Sequence, residues 1–289
     1  MKYDAIIIGC GPAGLQAALY TCRAGHSTLI IGRDSGALER AALIENFFGQ
    51  AEPVSGMQLL ENTRAQLRRL GASFASDEIF HIDWTGSFLL TGKETSCEAD
   101  TVLLATGSRR ERAAIEGLDR LDGHGVSWCA VCDAFFYRGR KAAVLGSGDY
   151  AVSELAHLMP VVSEAYLLTN GQPLTADVPE GVQVLEQKIV SIDGAEHVEG
   201  VTFADGSSIP LDGLFIALGS AGAFELARKA GALTEGNRIL TDENMATNVP
   251  GLFAAGDCTG GLQQIAAAVG EGAKAGMAMN AFLRGSSGS

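Results

Sequence analysis

The chain has 289 residues, 47% of them hydrophobic, with 37 glycines and only 7 prolines, which describes a compact α/β protein with room for two domains, each burying its own core. A net charge of -13 argues against a nucleic-acid partner, because binding phosphates calls for a basic face, and no apolar run reaches the length of a membrane span. Six cysteines with a single close pair fit a reducing, cytoplasmic setting better than a disulfide scaffold.

The N-terminal apolar stretch is too short for a secretion signal and runs straight into a glycine loop, so it reads as a core strand. Residues 3–8 are the kind of continuous apolar run that is buried on both faces of a parallel sheet. The loop Gly9-Cys10-Gly11-Pro12-Ala13-Gly14 follows, then a helix through Leu15, Ala18, Leu19 and Cys22, and a second strand over residues 27–31. Strand, GxGxxG and helix in that order are the fingerprint of a dinucleotide site. Gly9 permits the tight turn, Gly11 lets backbone N–H groups approach a pyrophosphate, and Gly14 lets the helix lie close to the strand. The helix start adds partial positive charge. Ile31-Gly32-Arg33 stands where a ribose-binding acid is expected, which weakens an NAD reading and is compatible with FAD.

Ser55 is expected to cap a helix over residues 56–70 whose buried face is Met57, Leu60, Leu67 and Leu70. Leu103-Leu104-Ala105-Thr106-Gly107 reads as a third glycine-ended strand. Arg109, Arg110 and Arg112 follow it, and with Arg138, Arg140 and Lys141 they read either as a docking patch for an acidic partner or as solvated hinge residues.

Cys129-Ala130-Val131-Cys132-Asp133 carries the chemistry. A thiolate is the reactive species, and a Cys-x-x-Cys pair holds one thiol of depressed pKa. Asp133, next to Cys132, is placed to protonate a departing thiolate. A zinc site is set aside, because one such pair supplies two ligands and Cys10, Cys22, Cys97 and Cys258 form no second pair. His124, five positions upstream, reads as an ordinary loop histidine.

A strand over residues 141–145 leads into Gly146-Ser147-Gly148-Asp149-Tyr150-Ala151, a GxGxxA loop, and a helix to about Met159. The ring of Tyr150 is expected to crowd or cap that phosphate cradle. After the next strand, residues 165–168, the chain reads Thr169-Asn170-Gly171-Gln172, with no arginine between Lys141 and Arg228 and no acid at the strand end. Finally, Gly251-Leu252-Phe253-Ala254-Ala255-Gly256-Asp257 is a short strand ending in Gly-Asp, followed by a long amphipathic helix over about residues 263–283. Cys258 and Cys10 read as small packing residues. Residues 285–289 read as a vector-derived remnant and are left out.

With these motifs in this order, the chain resembles the low-molecular-weight thioredoxin reductases over nearly its whole length. Ile44-Glu45-Asn46 with Gly49, and the run from Gly125-Val126-Ser127-Trp128 through Phe135-Phe136-Tyr137-Arg138, fit that family closely. The resemblance implies an α/β fold of two Rossmann-like domains of the three-layer ββα type, the second inserted into the first. The FAD-binding domain would comprise residues 1–112 and 220–289, and the dithiol domain residues 113–219. It implies one non-covalent FAD per chain, bound by Gly9, Gly11, Pro12, Ala13, Gly14, Asn46, Thr106, Gly256, Asp257, Gln264 and Ile265. Cys132 would face the flavin, Cys129 would attack the partner disulfide and Asp133 would manage the proton, in a homodimer.

The family's usual His-Arg-Arg clamp for the 2′-phosphate of NADPH is absent. A charge-assisted hydrogen bond contributes roughly 1.5–3 kcal/mol, so losing two arginines costs on the order of 3–6 kcal/mol, about 10²–10⁴ in NADPH affinity. In this the chain looks most like the ferredoxin-dependent flavin thioredoxin reductases. The expected function is therefore reduction of thioredoxin, or a similar protein disulfide, with ferredoxin as donor in place of NADPH. Three other readings stay open: an NAD(P)H-dependent thioredoxin reductase, an FAD-dependent dithiol oxidase using oxygen, and a non-enzymatic flavin redox sensor. The second loop is left to bind NADH weakly, a second flavin, or nothing.

Overall fold

The computed structural model describes every residue except 34–35, 108–112, 220–221, 237 and 287–289. The chain forms two compact α/β units, one made of Met1–Arg109 and Gly222–Ser289, the other of Arg110–Ala221. The first unit begins with β1 (Lys2–Ile8), α1 (Pro12–Arg23) and β2 (Thr28–Ile31), then α2 (Gly56–Arg69), β3 (Ser73–Ala75), β4 (Ile79–Trp84), β5 (Phe88–Gly92) and β6 (Ser96–Leu104). The second unit contains β7 (Val126–Ser127), α3 (Ala130–Asp133), β8 (Lys141–Leu145), α4 (Asp149–Leu158), β9 (Glu164–Leu168) and β10 (Gln183–Leu185). It continues with β11 (Ile189–Asp193), β12 (Gly200–Phe203), β13 (Ser208–Pro210) and β14 (Gly213–Ile216). The chain then returns to the first unit as α5 (Ala223–Lys229), β15 (Thr234–Glu235), β16 (Arg238–Ile239), β17 (Leu252–Ala254) and α6 (Ile265–Ser286).

In the first unit β3, β2, β1 and β6 lie side by side in parallel. The far edge of β6 is shared. Its first half pairs antiparallel with β5 through Ser96 to Ala99, and its second half pairs parallel with β17 through Val102 to Leu104. Ala5, Ile6 and Ile7 are wholly buried, as the continuous apolar run of β1 requires of a strand covered on both faces.

Helices α1 and α6 pack against each other on this sheet, and glycine sets their separation. A Cβ on Gly272 would stand 2.2 Å from the Ala13 carbonyl oxygen, and one on Gly276 would stand 2.7 Å from that of Ala17. The same helix face continues to Asn280, whose Nδ2 donates to the Tyr20 carbonyl at 3.1 Å. These residues recur every four positions, which is the spacing that keeps side chains on one face.

The Ser55 hydroxyl accepts the Gln58 amide and caps α2 as expected. Leu60 and Leu67 are buried and Leu70 is partly buried, but Met57 is exposed. The first turn of α2 meets the rest of the unit through Gly56, where a Cβ would overlap the Leu38 carbonyl, and this leaves Met57 outside the apolar stripe. Helix α6 runs on to Ser286, so it takes in Gly285 and Ser286 from the segment set aside as a remnant. Once nucleated, a helix extends at little cost per residue.

The second unit holds a parallel sheet in the order β10-β9-β8-β14-β7 and an antiparallel sheet of β11, β12 and β13. Its core gathers Leu145, Leu168, Leu214, Ile216, Phe203 and Trp128. Among the described residues no helix is long and apolar enough to cross a membrane.

Replacing Gly272 with alanine is expected to force α6 away from α1. The overpacking cost is about 1–3 kcal/mol, read as a lower urea midpoint; an unchanged midpoint would contradict the glycine contact.

Candidate active site

Register gathers the first set of expected residues. Ile8 pairs with Leu104, and Leu104 with Ala254, so the segments that follow β1, β6 and β17 leave the sheet at one edge. These segments carry Gly9 to Gly14, Thr106, and Gly256 with Asp257. A Cβ on Gly9 would stand 2.2 Å from the Ala105 carbonyl oxygen, and one on Gly256 would stand 3.1 Å from Cβ of Ala13. The three segments therefore touch.

Gly11 is the exception, since a Cβ there would meet nothing within 4 Å. It is also the N-cap of α1, which no side chain caps, and Pro12 fills the first turn, where its missing N–H costs nothing. Open space above an uncapped helix start is the arrangement that a pyrophosphate fills, so the residues fit a dinucleotide. Asn46 and Gln264, which lie 218 positions apart, are brought together by a 3.1 Å hydrogen bond from Nδ2 to Oε1. Ile265 opens α6 beside them.

One residue of this region escaped sequence analysis. Glu271 of α6 accepts the Gly256 amide at 2.7 Å and the Thr259 hydroxyl at 3.0 Å, both on Oε2. It thereby fixes the Gly-Asp turn from behind. Its signal in the sequence is that it is the one acid in α6.

Cys258 is buried, and its sulfur lies 3.5 Å from the Leu104 carbonyl and 3.4 Å from that of Ala255. Burial pushes its thiol up to about 12, so at neutral pH it is an inert thiol. Cys10 packs against Gly32, where a Cβ would come within 2.7 Å of its sulfur. Arg33, in the stretch where a ribose acid was sought, pairs instead with Glu78 at 3.4 Å.

In the second unit Cys129 and Cys132 form a disulfide. Cys129 is the N-cap of α3, and its sulfur accepts the Cys132 amide at 3.2 Å. Cys129 is fully buried, whereas Cys132 and Asp133 are half-buried. The Ser127 hydroxyl donates to Oδ2 of Asp133 at 2.6 Å and accepts the Cys129 amide at 3.2 Å. Ser127 thus ties the expected proton carrier to the first sulfur's backbone, a role that a buried serine in a two-residue strand did not advertise.

Trp128 donates from Nε1 to Asp122 at 2.9 Å. His124 has its Nδ1 3.2 Å from the Asp122 carbonyl and its ring 6.1 Å from that of His197. Past the pair, Phe135 and Phe136 are exposed and Arg138 sits over the Phe135 ring at 5.3 Å. Arg140 and Lys141 pair with Asp212 and Glu164. Arg109, Arg110 and Arg112, the other half of the expected cationic cluster, lie outside the described residues.

One carbonyl of the second glycine loop is bonded by its own chain. Thr175 donates to the Ser147 carbonyl twice, from its amide at 2.8 Å and from its hydroxyl at 3.1 Å. Asn170, at the end of β9, has φ +53°, and its Oδ1 accepts the Ile189 amide at 2.7 Å. Tyr150 is buried at 2% exposure, on the same face of α4 as Ala151, Leu155 and Leu158. That inward position replaces the expected crowding of the cradle, and the residue that reaches the loop is Thr175.

A dinucleotide cradle, a parallel-sheet companion unit and a Cys-x-x-Cys disulfide define a flavoprotein disulfide oxidoreductase. The pyridine nucleotide-disulphide oxidoreductase family matches residues 3–272, and the chain belongs to it. Within that family it belongs with the thioredoxin reductases. It is 33% identical to the thioredoxin reductase of Aquifex aeolicus over 98% of this chain and 94% of that protein. Among solved structures it is similar to the atypical thioredoxin reductase TRi from Desulfovibrio vulgaris Hildenborough, with a TM-score of 0.91 and 38% identity over 98% of both chains. It is also similar to a ferredoxin-flavin thioredoxin reductase from Clostridium acetobutylicum, with a TM-score of 0.71 and 30% identity over 98% of this chain and 99% of that one.

Two substitutions check this reading of the site. Cys258→Ala is expected to leave disulfide turnover within about twofold, and native Cys258 should resist alkylation at pH 8, as its raised pKa dictates. Ser127→Ala removes one hydrogen bond to a carboxylate and one from an amide. It should slow turnover severalfold and cost about 1–3 kcal/mol in stability, measured by steady-state rates and urea unfolding.

Proposed function

We propose that this chain reduces the disulfide of thioredoxin, or of a similar protein, through FAD and the Cys129–Cys132 pair, with reduced ferredoxin as the electron donor. The FAD domain is residues 1–112 and 220–289, and the dithiol domain is residues 113–219. Gly9, Gly11, Pro12, Ala13, Gly14, Asn46, Thr106, Gly256, Asp257, Gln264 and Ile265 would hold one FAD without a covalent bond. When bound, FAD supplies a centre that accepts electrons singly or in pairs and reduces a disulfide.

The rest is done by the chain's own groups. Cys129 attacks one sulfur of the partner disulfide, forming a mixed disulfide while the partner's other sulfur leaves as a thiolate and takes a proton. Cys132 then attacks the Cys129 sulfur, which restores the internal disulfide and frees the partner's second thiol. Asp133, oriented by Ser127, exchanges the proton at Sγ of Cys132. Cys129 is buried while oxidised, so its attack on a partner follows opening of the disulfide and a movement that uncovers it. The exposed Val131, Phe135 and Phe136 give the dithiol an apolar surround suited to a protein substrate.

The observation that carries the donor assignment is the end of β9, where Thr169-Asn170-Gly171-Gln172 offers no arginine to a 2′-phosphate. Ser147 is bonded to Thr175, and the amide oxygen of Asn170 is taken up by Ile189. The Asn170 oxygen, at the strand end where a ribose hydroxyl would be read, is thus already used within the chain. The likeness to a ferredoxin-flavin thioredoxin reductase supports the same reading. The four free cysteines, all buried, suit a cytoplasmic protein, and we propose that it acts as a homodimer.

An anaerobic titration tests the donor. Reduced ferredoxin is expected to bleach the flavin rapidly, while stoichiometric NADPH or NADH leaves it oxidised. Rapid bleaching by NADPH with sluggish reduction by ferredoxin overturns the assignment. Cys129→Ser and Cys132→Ser should each lower thioredoxin reduction on the order of 10³-fold. Peroxide formation from small dithiols, with little thioredoxin turnover, would point to an oxidase instead.

A further inference from the structure

Helix α4, which follows the second glycine loop, turns Tyr150, Ala151, Glu154, Leu155 and Leu158 inward. Four of these five suit an interior; Glu154 does not, yet its exposure is 0%. A carboxylate is almost never fully buried unless it is bonded to a partner. Oε2 of Glu154 accepts the backbone amide of Ala130 at 2.6 Å. Ala130 is the residue between Cys129 and the rest of α3, so a carboxylate from another helix is anchored inside the redox motif.

We infer that Glu154 is a positioning residue that keeps the Cys129–Cys132 dithiol strongly reducing. In a Cys-x-x-Cys segment the amides at the helix start are the groups that stabilise a thiolate. Here two of them are engaged elsewhere, the Cys129 amide by Ser127 and the Ala130 amide by Glu154, and of the three only the Cys132 amide reaches the Cys129 sulfur. A buried carboxylate bonded to the residue that follows Cys129 also opposes a second negative charge at this segment, because charges interact strongly where water is excluded. Both effects withhold stabilisation from the reduced pair. A dithiol whose reduced form is stabilised is an oxidant, so one denied that stabilisation gives up its electrons readily. The other titratable groups at this segment are Asp133, held by Ser127, and Tyr137, whose phenol is held above its ordinary range by burial and the charge of Asp133.

The inference rests on Cys129 and Cys132 being the redox pair and is independent of the donor and of thioredoxin. It is tested by equilibrating the FAD-loaded protein without oxygen at fixed glutathione ratios and counting alkylated thiols by mass. In that exchange the protein loses two S–H bonds and gains one S–S bond, while one glutathione disulfide becomes two glutathione thiols. Two electrons and two protons pass together.

Glu154→Gln keeps an acceptor oxygen and removes the charge. It is expected to shift the equilibrium toward the dithiol by about tenfold, equivalent to about 30 mV. Glu154→Asp keeps the charge and should hold the parental equilibrium, as should Glu180→Gln on the exposed surface. A Glu154→Gln equilibrium within twofold of the parent overturns the inference, and so does an equal shift in Glu154→Asp, which would assign the effect to packing. A parent pair that neither glutathione nor excess dithiothreitol opens would remove the redox pair itself, and that outcome is distinct from either.

Discussion

Strand β6 bears the constraint on which the first unit depends. One edge pairs with β1 along nearly its whole length, and the other is divided between β5 and β17. Because β17 arrives only after the second unit has been traversed, the sheet is completed by residues far along the chain from their β6 partners, Leu252 against Val102. Helix α6 then lies against α1 through Gly272 and Gly276. These contacts bring the ends of β1, β6 and β17 to one edge, and ligands of parallel sheets bind at the carboxyl ends of the strands. Gly9 to Gly14, Thr106, Gly256 and Asp257, among the residues assigned to cofactor binding, are gathered by that alignment.

The second unit uses the same parallel scaffold for a different purpose. Its glycine loop and following helix are kept, but Thr175 bonds to the loop and Asn170 is committed to Ile189. What the scaffold presents instead is the disulfide, mounted where β7 passes into α3 and held by side chains from both sides. Ser127 comes from the strand and Glu154 from the helix behind the loop. The helix that in a nucleotide-binding unit would serve a phosphate here braces a pair of sulfurs.

Much of this was legible in the residues because backbone demands leave local marks. The apolar runs of β1 and β8, the glycines that follow them and the Ser55 cap all announce themselves within a few positions. The side-chain partnerships do not. Glu271, Ser127 and Glu154 are polar residues whose meaning depends on an atom supplied by a distant segment. Their nearest sequence signal is that two acids stand in helices otherwise apolar on that face. Met57 and Tyr150 were misjudged for a related reason. Periodicity says which residues share a face, but the angle at which a helix meets its neighbours decides how far that face extends. Cys258, by contrast, was legible as a packing residue, and the Leu104 and Ala255 carbonyls account for its sulfur.

The divided first unit also dictates an order of assembly. Residues 110–221 hold every strand and helix of the second unit on one continuous stretch, so that unit has all its parts as soon as this stretch leaves the ribosome. The first unit lacks β17 and α6 until the last segment emerges, and domains generally fold as units during synthesis. The nascent chain therefore carries a finished sulfur-bearing body while its partner is still an open sheet with an unpaired flank. Flavin capture becomes one of the final events of biosynthesis, and truncation near the C-terminus strikes the cofactor unit first.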